Sequence, residues 1–115
     1  MEDMQNAAGA QAPASSTVEV DGLKFNVIDE ARRSWDAAFL SRDIAKLEKR
    51  YKTLPDGAEK TEIVGDLLAT MLEYVCFTSD LTREKISAHL GKYASVPEVS
   101  QFIVNCTKAI NAKNF

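Results

Sequence analysis

His89, the cysteines Cys76 and Cys106, and the carboxylates Glu59, Glu62 and Asp66 are the residues of this 115-residue chain whose types could do chemistry. Nucleophilic catalysis needs a Ser or Cys beside a base that a third group orients. With one histidine, any such arrangement must run through His89. The pattern sets His89 next to Leu90 and one turn from Lys85 and Ile86, which reads as the boundary of a helix rather than a general base. Glu59, Glu62 and Asp66 share a helix face, but acid–base work needs a cleft that drives carboxylate pKa values apart. There is no Cys-x-x-Cys and no second histidine, so no zinc site is expected. Phosphate-cradling glycine loops and EF-hand ligand spacing are also missing. No catalytic residue, cofactor, metal or small-molecule substrate is expected, and the chain does not read as an enzyme.

The totals fit that reading. A chain of this length makes one domain and buries enough surface to fold without staples. The net charge of −3 gives no bulk attraction to nucleic acid or anionic membrane. No run of 18 apolar residues exists, so no membrane span is expected. The N-terminus lacks the basic and apolar regions of a secretory signal. Cys76 and Cys106 fall within apolar helical patterns, as reduced thiols of a cytoplasmic protein would.

The elements come from periodicity. Residues 1–16 are small, polar and aperiodic and are expected to be a disordered tail, with residues 17–115 forming one domain. Asp21-Gly22 lies between two alternating runs, the strongest short-range hairpin signal. A two-residue turn sets Val20 opposite Leu23 and Val18 opposite Phe25. Val18, Val20, Leu23, Phe25 and Val27 then share one apolar face, which must dock because an isolated hairpin is marginal.

Helical spacing begins near Asp29 with Ile28, Ala31, Trp35, Ala38 and Phe39, and continues in Leu40, Ile44, Leu47, Tyr51 and Leu54. These two stripes are out of phase by about one position. Either the helix kinks or restarts at Ser41-Arg42-Asp43, or one stripe stays outside the core. Pro55-Asp56-Gly57 ends the element. The most apolar helix follows, from about Glu59 to Phe77, with Ile63, Val64, Leu67, Leu68, Met71, Leu72, Val75 and Cys76. Gly65 within it suggests close approach of another element. A short helix from Thr82 to Leu90 should end with Gly91 at C′. Ser95-Val96-Pro97-Glu98 combines an N-cap Ser, an early Pro and a Glu three residues on, so it opens the last helix.

Charge is segregated. Residues 29–54 carry seven basic and five acidic side chains, residues 56–84 two and seven, and residues 85–115 four and one. An acidic centre between basic ends suits self-association or an asymmetric partner.

Two local resemblances bear on function. Residues 35–51 look like the opening helices of NTF2-like cone-shaped domains, with a polar Arg42-Asp43 step between two helices. That family continues into a long curved sheet, whereas only helices follow here, so no pocket residues are carried over. Residues 81–103 resemble a helix-turn-helix through Ile86, Leu90 and Gly91. Lys92 departs from the apolar residue usual after the glycine, and the second helix offers Glu98, Gln101 and Asn105 with Lys108 as its one cation.

The expected fold is mainly α, an N-terminal β-hairpin docked on a compact orthogonal bundle of four to five short helices. The expected function is non-catalytic protein binding, as a small adaptor, assembly chaperone or structural subunit of a larger complex. The partner is a protein or a second copy of the chain, not a membrane, and Trp35, Phe39 and Tyr51 are the expected contact residues. The alternative is a helix-turn-helix nucleic-acid-binding regulator using residues 82–110.

Overall fold

Asp21 and Gly22 take φ values of 53° and 87°, both in the left-handed region that a type I′ turn requires. The turn joins β1 (Thr17–Val20) to β2 (Leu23–Asn26), with Val18 opposite Phe25 and Val20 opposite Leu23. This computed structural model describes residues 16–113. The expected tail therefore lies outside the described residues, apart from Ser16, which is buried and accepts the Val27 N–H through its carbonyl (2.8 Å). Val20, Phe25 and Val27 are buried, with Val18 and Leu23 half-buried beside them, so the apolar face of the hairpin points inward.

Five helices follow: α1 (Asp29–Arg32), α2 (Trp35–Thr53), α3 (Ala58–Thr78), α4 (Arg83–Leu90) and α5 (Val96–Ala112). The fold is mainly α with one antiparallel hairpin, as the sequence predicts. α3 is the centre. α2 lies along one side of it, joined by a short link so that the two run antiparallel, and α5 lies against another side with β1 packed on it.

The hairpin is held by an extension of its own ladder. Val27 forms an antiparallel bridge with Ser79 just past α3. Ile28 N–H donates to the Thr78 carbonyl (2.8 Å), and Asp80 N–H to the Asn26 carbonyl (3.0 Å). The Asp80 carboxylate accepts from both the Asn26 backbone N–H (2.9 Å) and its side-chain amide (3.1 Å). The apolar face thus docks with its edge groups satisfied, which a buried edge requires. At the end of α3 the hydroxyls of Thr78 and Ser79 turn back to the Tyr74 and Val75 carbonyls, each at 2.6 Å.

Caps set the helix boundaries. Ser34 Oγ accepts from Ala37 N–H, Thr82 Oγ1 from Lys85 N–H, and Ser95 Oγ from Glu98 N–H. Glu98 closes the last cap by accepting from Ala94 N–H (3.2 Å) and the Ser95 hydroxyl (2.9 Å).

Two expectations are corrected and one open alternative is decided. The kink or restart at Ser41 does not occur: the break falls at Ser34, and α2 runs unbroken through Ser41. Just before this break the Arg32 guanidinium donates to the Ile110 and Lys113 carbonyls at the end of α5. Gly65 does not admit a neighbour, since a Cβ built there meets nothing within 4 Å. Gly91 is not a left-handed C′ residue but keeps right-handed helical angles (φ −60°, ψ −17°).

Candidate interaction surface

Among the described residues, α2 has neighbours on one side only. Ala37, Leu40, Ile44 and Leu47 recur at helical spacing along the side facing α3, Ala37 and Ile44 fully buried and Leu40 packed against the core. Trp35 and Phe39 lie off that stripe. A straight helix cannot turn both stripes inward, and the structure turns in the second. Trp35 is left 79% exposed and Phe39 49% exposed, with ring centroids 6.2 Å apart.

Phe39 and Leu40 face Phe77, in the last turn of α3, across an open cleft of 340 Å³. Phe77 is itself 38% exposed. Three carboxylates, Asp36, Asp43 and Glu73, line the same cleft. Asp43 has a long contact to the Arg42 guanidinium (3.7 Å), and that guanidinium sits 5.4 Å from the Phe39 ring centre. Asp36 and Glu73 have no hydrogen-bond or ion-pair partner among the described residues. The arrangement is an aromatic floor with an acidic rim, suited to an apolar side chain flanked by positive charge.

Of the three contact residues expected from the sequence, the structure joins Trp35 to Phe39 and separates Tyr51. Twelve residues of helix put Tyr51 about 18 Å further along α2 than Phe39. There it carries the Lys60 ammonium 4.5 Å from its ring centre, beside Asp56 and Gly57. Phe77 and the three carboxylates were not expected at the site. The readable signal for Phe77 was its position one residue past the apolar stripe of α3, with no facing partner in the pattern.

The residues that could do chemistry do not converge. His89 is half-buried, its ring 4.6 Å from that of Phe102, with Nε2 3.2 Å from the Tyr93 hydroxyl. Tyr93 in turn donates a short hydrogen bond to the Asp21 carboxylate at the hairpin turn. Burial first, and that bond second, hold the Tyr93 hydroxyl well above the usual phenol range. Cys106 is buried and its thiol is pushed up to about 12, while burial also raises half-buried Cys76. Both are free thiols held in the unreactive protonated form. Among the described residues, no group of three or more His, Cys, Asp or Glu is placed to hold a metal ion. No helix among them is long and apolar enough to cross a membrane.

Residues 82–110 form α4, a turn and α5. On the outer face of α5, Glu98 is engaged in its cap and the Gln101 amide donates to Asn105 Oδ1 (2.9 Å). No protein-family model matches the chain, and neither a curated protein nor a solved structure matches it.

Proposed function

We propose that this protein is a non-catalytic protein-binding module, an adaptor, assembly chaperone or structural subunit that works in the cytoplasm. Its partner docks where the start of α2 meets the end of α3. One observation carries the reading: Trp35 and Phe39 lie side by side in solvent, their rings tilted by 31°, beside a half-open Phe77, while a full core is closed elsewhere. Clustered exposed aromatics on a small domain usually mark an interaction site, and Trp is among the residues that dominate interface energies. The two free thiols agree with a reducing compartment.

The test is capture from a lysate with the intact chain beside a Trp35→Ser/Phe39→Ser variant, read by mass spectrometry. The variant should keep its thermal transition to within about 0.5 kcal/mol per site, as surface changes do. It should lose the partners that the native chain retains. An identical set of captured proteins would overturn the reading. A shift of duplex DNA that weakens steeply with salt would replace it with the helix-turn-helix alternative.

A further inference from the structure

We infer that the occupant of this surface is a basic amphipathic helix of another protein, lying lengthwise in the groove between α2 and α3. This rests on the protein-binding reading above and adds the partner's chemistry.

The aromatic cleft is one end of a longer feature. A second open cleft, of 310 Å³, is lined by Asp43, Lys46 and Leu47 of α2 and by Asp66 and Thr70 of α3. Both clefts include Asp43, so they adjoin along the seam of the two helices. From Asp66 to Phe77 the seam measures about 16 Å, the length of about three helical turns. Beyond Lys46, the Arg50–Glu59 ion pair (3.0 Å) spans the two helices.

The apolar content is spaced for a helix. Phe39 and Phe77 stand at one end, Leu40 lies beside them, and Leu47 stands two turns along α2. A helix set into the groove of an antiparallel pair presents residues i, i+3 or i+4, and i+7 to such positions.

The charges fix the occupant's sign. Four carboxylates line the two clefts, Asp36, Asp43, Asp66 and Glu73, against Lys46 on the lining and the Arg42 guanidinium beside Asp43 and Phe39. Asp36, Asp66 and Glu73 have no ion-pair partner among the described residues. Asp66 and Glu73 are seven residues apart, hence on one face of α3 with about 10 Å between them. Lys or Arg on both flanks of an apolar helical stripe would meet these groups. An acidic helix would place like charges on them, which costs specificity and encounter rate.

The only tryptophan of the chain reports on the site. Trp35 emission of the full chain is to be followed while adding a helical peptide of about 18 residues, enough to span the groove. The peptide carries Leu on one stripe and Lys elsewhere, and a counterpart carries Glu in place of Lys. A saturable blue shift with the Lys peptide and none with the Glu peptide is expected. In an Asp66→Lys/Glu73→Lys variant, Lys-peptide binding should weaken about tenfold or more and Glu-peptide binding should appear. A melting transition confirms that the variant is folded.

No shift, equal binding of both peptides, or undiminished Lys-peptide binding by the charge-reversed chain would overturn the inference. A free chain that sediments as a dimer with Trp35 already shielded would overturn it in favour of a second copy. If captured partners depend on Trp35 and Phe39 but survive charge reversal of Asp66 and Glu73, the protein-binding reading stands and the basic helix falls.

Discussion

α2 and α5 are the two long helices that flank α3, and they are used in opposite ways. α5 buries Phe102, Ile103, Cys106, Thr107 and Ile110 over 17 residues, whereas α2 buries only Ala37 and Ile44 over 19. The difference lies in what stands behind each. α5 is enclosed between α3 and the docked hairpin, so its apolar stripe has cover on two sides. Among the described residues, α2 has α3 on one side and no neighbour on the other. Helices in small proteins owe most of their stability to a packed face, and α2 has one narrow face. The aromatic residues that this leaves outside are those proposed above as the docking site.

The largest test of the contrast is Phe25→Ala. Phe25 is 3% exposed and part of the layer that encloses the core. The substitution should cost about 3–5 kcal/mol, read from denaturant or thermal unfolding. A transition that does not move would show that the hairpin contributes nothing to the closed side.

Tyr93→Phe comes next, since it removes the bond by which the α4–α5 turn grips Asp21. A loss of about 1 kcal/mol at neutral pH is expected. The folded-state pKa of Tyr93 is raised, so its contribution is complete below the unfolded value of about 10 and is lost as pH rises through the folded value. The variant should therefore show a shallower alkaline decline. It should not abolish the decline, because Cys106, raised to about 12, acts in the same direction. An alkaline profile that superimposes on the native one would remove Tyr93 from the account.

On the open side the expected effects are small or reversed. Gly65 sits inside α3 with free space where a Cβ would stand. Gly65→Ala should stabilise by up to about 1 kcal/mol, and a loss would mean that something packs there in solution. Smallest of all, Trp35→Ser should change stability by less than about 0.5 kcal/mol. A cost as large as that of Phe25→Ala would break the contrast and make Trp35 core.

Much of the closed side is legible in the sequence because its signals are local. Asp21-Gly22 dictates the turn and register, and Ser95 with Glu98 dictates the start of α5. The open side depends on a choice that local signals leave tied. Ser34-Trp35-Asp36 and Ser41-Arg42-Asp43 carry the same Ser-x-Asp step, and either could restart a helix. In the structure the Ser34 hydroxyl makes the cap, donating to the Ala31 carbonyl and accepting from the Ala37 N–H, and Arg32 just before it reaches the end of α5. That choice decides which stripe of α2 faces α3, and so whether Trp35 and Phe39 are covered. Phe77 joins them only through the antiparallel packing of α2 on α3, whereas Tyr51 is parted from them by the length of unbroken helix between them. Gly65 was misleading for a similar reason, since a small residue marks close packing only where a neighbour exists.

The two ends of the described chain meet. Lys113 Nζ donates to the Thr17 carbonyl (3.0 Å), and the Arg32 guanidinium holds the carbonyls of Ile110 and Lys113 beside the hairpin. Tension applied through chain on either flank is carried across this one seam, from β1 to the end of α5. It bypasses α2 and the first turns of α3, which stand off the line of force like a bracket fixed at one edge.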